Sequence, residues 1–134
     1  MNRMVLVDSS AWIGYLRPGR GAASDASDTL DRLLQEDRVV LCGMVELEIF
    51  QGLRPQERGR ISELFSALSY IETERIDYVA AGERLGDLRR RGVTIPGADC
   101  LIGVLCLRHD LALLTLDGHF DHLPDVKRFP ERTA

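Results

Sequence analysis

The sequence predicts a three-layer α/β/α fold with a mainly parallel central sheet. Short apolar runs alternate with longer segments of helical periodicity along nearly all of the 134 residues. No internal repeat, low-complexity tract or long linker interrupts this alternation. Strands that alternate with helices form a parallel sheet covered on both faces. Functional sites in such sheets lie beyond the carboxyl ends of the strands.

The first strand and helix are predicted from an apolar run and a pair of serines. The run Met4–Val7 ends at an aspartate and is typical of a buried strand. Ser9 and Ser10 are suited to cap a helix, which is therefore expected from Ala11. The Pro-Gly pair at 18–19 ends that helix.

The next elements follow from small polar residues and from leucine spacing. Residues 19–27 are small and polar, which predicts a loop. A helix is expected over Asp28–Glu36, because its leucines fall on one side. Val39–Cys42 is the second predicted strand. Met44–Leu53 is a predicted helix, and Gly52 marks its end.

The remaining elements continue the alternation, starting at a proline that is suited to open a helix. In order, they are a helix over Pro55–Leu68, a short strand over Ser69–Glu72, a long helix over Ile76–Arg90, an almost wholly apolar helix over Asp99–Arg108, a strand over Leu111–Leu116 and an edge strand over Val126–Phe129.

Composition predicts one globular domain spanning residues 1–134. Apolar residues make up 45% of the chain, and only five prolines interrupt it. No apolar run approaches the roughly 20 residues that span a bilayer, and the N-terminus lacks the features of a secretory signal. We therefore expect a cytoplasmic protein that is not bound to a membrane. The cysteines Cys42, Cys100 and Cys106 are expected to be buried free thiols.

The net charge of −4 argues against binding of nucleic acid by charge alone. A bound cation would reverse the local sign, however, so the objection is weak if acidic residues bind metal. Four arginines lie close together in the long helix and its end. They form either a solvated helix terminus or a patch that contacts phosphate: Arg84, Arg89, Arg90 and Arg91.

Acidic residues from four segments are placed to meet at one edge of the sheet. Asp8 and Asp117 each directly follow a predicted strand, and Asp99 lies at the start of the apolar helix. Glu46 and Glu48 lie in the helix after the second strand. Any one of these acids can equally be a helix cap or a turn residue. A charge at the start of a buried helix nevertheless needs a partner, and a shared divalent cation would supply one.

Glu46 and Glu48 cannot both face the site easily. Residues two apart differ by about 200° around a helix, so the two side chains point in opposite directions. Periodicity alone does not decide between them, because apolar residues surround this helix on most sides.

Four short motifs, in order, resemble those of PIN-domain proteins, and of VapC-type toxins in particular. They are VDSSAWI at 7–13, EIFQG at 48–52, IPGADCLI at 95–102 and LTLDGHF at 114–120. The resemblance implies a PIN-like fold and an endoribonuclease that depends on Mg²⁺ or Mn²⁺, usually the toxin of a toxin–antitoxin pair. It also implies a homodimer and a VapB-type antitoxin protein that blocks the site.

Carried over residue by residue, the resemblance implies four catalytic acids: Asp8, Glu48, Asp99 and Asp117. It selects Glu48 over Glu46 because a glycine falls four positions later. Asp8 and Asp99 are expected to bind the main ion directly. Glu48 and Asp117 would act through water or at a second metal site.

Further residues have supporting roles in this interpretation. Ser10 or Thr115 would orient a ligand or a water molecule. Many relatives carry a second acid where His119 stands, which puts the second metal site in doubt. His109, His119 and His122 are expected to be surface or turn residues. Possible substrate contacts are His119, Arg89 and Arg90.

The apolar residues Trp12 and Phe50 allow two interpretations. They line a groove for an apolar partner helix, or they belong to the core, which we favour. The RNA that is cut cannot be predicted, because no motif reports on substrate choice.

Three rival functions remain. A haloacid-dehalogenase-type phosphatase needs a second aspartate two positions after the first, where this chain has Ser10. A phosphoacceptor signalling receiver needs an acidic pair after the first strand, which here offers Asp8 alone; Lys127 could mimic its lysine, but Glu48 and Asp99 would then have no role. A catalytically inactive PIN-like binding domain is disfavoured because all four main acids are retained.

Overall fold

The structure is a computed structural model that describes residues 3–17 and 22–131. The described part of the chain contains four strands and six α-helices. The strands are β1 (Val5–Val7), β2 (Val39–Cys42), β3 (Ser69–Ile71) and β4 (Ala112–Leu114). The helices are α1 (Ser9–Leu16), α2 (Ala22–Gln35), α3 (Gly43–Gln51), α4 (Pro55–Ser66), α5 (Arg75–Arg90) and α6 (Gly97–Arg108). A 3₁₀ turn over Gly118–His122 follows β4.

The four strands form one parallel sheet in the order β3-β2-β1-β4. Leu6 of β1 pairs with Val40 of β2 on one side and with Leu113 of β4 on the other. The predicted α/β/α fold with a parallel sheet is therefore confirmed. Because the strands run in one direction, the residues after β1, β2 and β4 emerge at the same edge of the sheet.

The core lies between the sheet and the helices that cover it. All residues of β1, β2 and β4 are buried, as expected for the inner strands of a parallel sheet. α1 packs on α2 and α3, and α5 packs on α6. Trp12 is fully buried and packs edge-on against Phe65, with ring centroids 5.0 Å apart. The core interpretation of Trp12 is therefore confirmed.

Three predicted helix starts were wrong, and the start of α6 is Gly97 rather than Asp99. α1 begins at Ser9, and Asp8 takes the N-cap position, so the two serines do not cap the helix. Their hydroxyl groups bond to acidic side chains instead. α2 begins at Ala22, so most of the predicted loop is helical. Alanines favour helix, and Ala26 extends the buried face of Leu30 by one turn. Residues 18–21 lie outside the described part of the chain.

The end of the sheet near β4 also differs from the prediction. β4 ends at Leu114, so Thr115 and Leu116 separate the strand from Asp117. The amides of Leu116 and Asp117 donate to side-chain hydroxyls rather than to a neighbouring strand, which explains the shorter β4. The predicted edge strand over Val126–Phe129 was too long. It is reduced to one parallel bridge, between Leu113 and Arg128.

The remaining predictions concern the cysteines, membrane-spanning helices, the number of domains and the location of the protein. The three cysteines are free and buried, as predicted. Among the described helices, none combines the length and the apolar character that a membrane span needs. A single domain over residues 1–134 and a cytoplasmic location stay predictions.

Gly103 of α6 offers a test of core packing. A Cβ at this position would lie 2.7 Å from Cδ1 of Leu123, which is itself buried and cannot move into solvent. A Cβ at Gly59 of α4 would meet nothing within 4 Å. Alanine improves helix propensity equally at both sites, so the difference between the two variants isolates the packing cost. We expect Gly103→Ala to be less stable than Gly59→Ala by roughly 1–3 kcal/mol in urea unfolding. Equal stabilities would show that α6 has room against Leu123.

Candidate metal centre

Asp8 is the most deeply placed acid of the candidate site. It lies between β1 and α1 and is only 2% exposed. Its Oδ2 accepts hydrogen bonds from Ser10 Oγ at 2.9 Å and from Thr115 Oγ1 at 2.8 Å. Its Oδ1 is buried and has no hydrogen-bond partner among the described residues. A buried carboxylate oxygen without a partner destabilises the folded protein. A bound cation would remove this destabilisation.

The hydroxyl groups of Ser10 and Thr115 tie Asp8 to the segment after β4. Ser10 Oγ accepts from the amide of Leu116 at 3.0 Å, and Thr115 Oγ1 accepts from the amide of Asp117 at 3.0 Å. The two hydroxyl oxygens lie 3.2 Å apart. The same pair of side chains therefore orients Asp8 and fixes the backbone that carries Asp117.

Asp99 and Asp117 meet around the ring of His119. Asp99 lies in the first turn of α6 and is 6% exposed. Asp117 caps the 3₁₀ turn by accepting from the amide of His119 at 2.9 Å. Nδ1 of His119 lies 2.8 Å from Asp99 Oδ2 and 2.8 Å from Asp117 Oδ1. One possible ligand atom from each of these three residues lies within 4.8 Å of the others.

Glu48 faces this cluster, whereas Glu46 lies near Tyr70. Glu48 Oε1 accepts from Ser9 Oγ at 3.1 Å. Burial raises the pKa of Glu48, and the charges of Asp8, Asp99 and Asp117 raise it further, although the bond from Ser9 opposes them. The charge of Glu46 acts instead on Tyr70, whose pKa is raised by burial first and then by Glu46. The two glutamates thus point in different directions, as the helical geometry requires.

Burial and neighbouring carboxylates disfavour the ionisation of Asp99. Burial raises the pKa of Asp99, and the charges of Asp117 and Asp8 add to this, while the hydrogen bond from His119 opposes it. The hydrogen bond to Asp99 raises the pKa of His119, and both carboxylates help to hold its proton. A concentration of negative charge with one imidazole at its centre is stabilised by any cation that enters it.

The donor set fits a divalent metal ion. Carboxylate oxygens are the ligands that hard ions such as Mg²⁺ and Mn²⁺ prefer. The unpartnered Oδ1 of Asp8 and the mutual repulsion around Asp99 are both relieved by such an ion. Asp99 and Asp117 each offer an oxygen within 4.8 Å of the other, which suits a shared ion. The charge of Asp8 acts on Asp99, and the charges of all three aspartates act on Glu48.

Sequence reasoning placed His119 correctly but did not predict its contact with two acids. It was expected at the surface or in a turn, and it is 47% exposed within the 3₁₀ turn, yet its ring bridges two acids. Its spacing from Asp117, where relatives carry another acid, was the one signal that could have found it. The other predicted substrate contacts, Arg89 and Arg90, lie in the last turn of α5, and Arg90 pairs with Asp87 at 2.8 Å. Their contact with substrate stays a prediction.

Comparison with known sequences gives one family and several named relatives. The chain matches the family described as PIN domain over residues 5–126. It is 32% identical over 123 residues to a protein called VapC ribonuclease Mb1587 from Mycobacterium bovis, covering 88% of this chain and 90% of the relative. The same figures hold for a protein called Ribonuclease VapC11 from Mycobacterium tuberculosis.

Solved structures share the fold at low sequence identity. One is FitAcB from Neisseria gonorrhoeae, with a TM-score of 0.76 and 21% identity over 95% of this chain and 98% of the other. Another is DNA-bound VapBC from Salmonella typhimurium, with a TM-score of 0.76 and 16% identity over 93% and 96% of the two chains. At these identities, the likeness concerns the fold alone.

Proposed function

The chain belongs to the PIN domain family, and from this premise we propose that it is a divalent-metal-dependent endoribonuclease, the toxin of a toxin–antitoxin pair. The observation that carries the proposal is the proximity of acids from separate segments: the charges of Asp8, Asp99 and Asp117 all act on Glu48, and Oδ1 of Asp8 is buried without a hydrogen-bond partner among the described residues. The relatives named as ribonucleases support the reaction class.

The metal-holding roles are proposed as follows. Asp8 and Asp99 would bind the ion directly, while Glu48 and Asp117 would act through water or at a second position. A bound divalent ion lowers the pKa of water and neutralises charge that develops on the phosphate. Ser10 and Thr115 hold Asp8 in one orientation, which is the part that supporting hydrogen bonds play around metal ligands.

Glu48 has a second property that suits hydrolysis. Its pKa is raised by burial and by its neighbours, which brings it closer to the range in which a carboxylate exchanges protons near neutrality. Ser9 donates a hydrogen bond to Oε1 of Glu48, and this bond fixes the orientation of the carboxylate. We assign Glu48 the task of accepting a proton from the attacking water.

The protein partner is proposed to be an antitoxin. Structures that share this fold carry names such as VapBC from Salmonella typhimurium and VapBC2 from Rickettsia felis bound to a promoter DNA fragment. An apolar pocket lies between α1 and α3, and Glu48 borders it. Ile13 at its rim is 52% exposed. A partner segment in this pocket would lie beside the acidic cluster and block it. The homodimer stays a prediction.

Glu48→Gln should slow RNA cleavage roughly 100-fold, because the amide cannot accept a proton. Glu46→Gln, the matched change on the opposite side of the same helix, should leave the rate close to that of the unaltered protein. Initial rates on a fluorogenic RNA in saturating Mn²⁺ would measure both. Similar losses in the two variants would contradict the assignment of Glu48.

The function itself is tested by sequencing RNA 5′ ends after induced expression, with Asp8→Ala as the control. We expect new 5′ ends that the control lacks. Identical 5′ ends in the two samples would reject an endoribonuclease.

A further inference from the structure

We infer that His119 is a ligand of the divalent ion and that it shifts the preference of the site from Mg²⁺ toward first-row transition-metal ions. The inference rests on the proposed function only to the extent that a divalent ion occupies the acidic cluster. It departs from the all-oxygen site that the motif resemblance implies, since this chain has an imidazole where many relatives have an acid.

The first support is the geometry of the donor atoms. Nδ1 of His119 lies 2.8 Å from one oxygen of Asp99 and 2.8 Å from one oxygen of Asp117. Neighbouring ligands of an octahedral ion with bonds of ~2.1 Å are separated by about 3 Å. Both distances from Nδ1 are close to this spacing, and each of the three residues offers a ligand atom within 4.8 Å of the others. Entry of the ion would release the proton that Nδ1 shares with the two carboxylates.

The second support is independent of this triad. Oδ1 of Asp8 is buried without a partner among the described residues, on a side chain that is 2% exposed. The charge of Asp8 acts on both Asp99 and Glu48, so this carboxylate lies next to the cluster. Asp8 has two hydroxyl donors on Oδ2 and none on Oδ1, which leaves one oxygen free to complete the ligand set.

The backbone holds His119 in place for this role. Its amide donates to Asp117 Oδ1 at 2.9 Å, so the histidine and the aspartate are fixed to each other within the 3₁₀ turn. The other histidine of that turn, His122, is exposed. Position within the turn, and not histidine content, therefore places one imidazole in the cluster.

The chemistry of the ligand sets the expected preference. Mg²⁺ favours oxygen ligands, whereas imidazole nitrogen favours transition-metal ions, whose affinities rise from Mn²⁺ through Co²⁺. A ligand set of carboxylates with one imidazole should bind Co²⁺ more tightly, relative to Mg²⁺, than an all-carboxylate set would. His119→Asp converts this set into the all-carboxylate set and is the informative variant.

The experiment measures binding of Co²⁺ and of Mg²⁺ by titration calorimetry to the full chain and its variants. We expect the ratio of Co²⁺ to Mg²⁺ affinity to fall roughly tenfold or more in His119→Asp and to stay constant in His122→Asp. Pulsed electron paramagnetic resonance of the Mn²⁺-loaded protein should show a directly bonded nitrogen that disappears in His119→Asp. His119→Asn, which is closer in shape, repeats the test if the aspartate variant does not fold.

Two results would overturn the inference. One is an unchanged affinity ratio in His119→Asp. The other is a Mn²⁺ spectrum without a bonded nitrogen in the unaltered chain. RNA cleavage, assayed separately, distinguishes this failure from failure of the proposed function. A chain that cleaves RNA but shows no nitrogen ligand, with a raised KM for RNA in His119→Asn, would make His119 a substrate contact. A chain that shows the nitrogen ligand but cleaves no RNA would keep the metal site and reject the nuclease.

Discussion

Asp8→Asn and Asp99→Asn are each expected to lower the rate of metal-dependent RNA cleavage roughly 1,000-fold. Each change replaces a carboxylate that is proposed to bind the ion by a neutral amide. Asp8 supplies the unpartnered Oδ1, and Asp99 supplies the oxygen beside His119. The loss should appear in kcat, since it affects stabilisation of the transition state more than binding of RNA. Cleavage of a defined RNA in Mn²⁺, followed with time, measures it.

The matched control for this prediction is Asp110→Asn. Asp110 is an exposed aspartate that pairs with Arg3 at 2.6 Å, at the opposite end of β4. The Asp110→Asn variant should retain full activity. Circular dichroism should show that Asp8→Asn still folds, because its side-chain oxygen can accept from Ser10 and Thr115 as before. Full activity in EDTA, or in either cluster variant, would contradict the metal mechanism.

Asp99→Asn should also stabilise the metal-free protein while abolishing its stabilisation by metal. Burial and the neighbouring carboxylates raise the pKa of Asp99 in the folded chain above its unfolded value. The folded state then holds the proton more tightly, so stability falls as pH rises through the folded pKa. At neutral pH, the ionised Asp99 therefore costs stability, and the neutral amide removes that cost.

In the unaltered chain, a bound divalent ion offsets the destabilisation caused by ionised Asp99. At a Mn²⁺ concentration about 100 times its Kd, binding to the folded state alone adds about 2.7 kcal/mol. Thermal unfolding with EDTA or with Mn²⁺ should therefore show a large rise in Tm for the unaltered chain and little change for Asp99→Asn. A metal-free Asp99→Asn that melts below the unaltered chain would mean that Asp99 is a stabilising structural acid.

The sequence allowed most of the sheet to be predicted, because β1, β2 and β4 are short and fully apolar. Val39–Cys42 was predicted with the observed bounds, and β1 differs from its prediction by one residue. The strand after α6 was predicted too long, since Thr115 and Leu116 look like strand residues until their surroundings are known. The amide of Leu116 donates to Ser10 Oγ of α1, more than 100 positions away, and the amide of Asp117 donates to Thr115 Oγ1.

The candidate site, like the sheet, could be predicted from the sequence only in part. The acids at strand ends could be identified because parallel strands bring their carboxyl ends to one edge. Ser9 and Ser10 were misassigned as helix caps, because a serine before an apolar run is a common capping signal. Here the carboxylates of Glu48 and Asp8 compete for their hydroxyls. His119 was undervalued because a bridging role depends on Asp99, twenty positions earlier.

We propose that Asp8, Asp99 and their neighbours share one divalent ion. Anomalous diffraction from crystals soaked in Mn²⁺ would locate that ion. We predict one strong peak in contact with Oδ1 of Asp8 and a carboxylate oxygen of Asp99. Bound Mn²⁺ elsewhere on the protein, with no metal at Asp8 and Asp99 at a saturating concentration, would show that these acids do not share an ion.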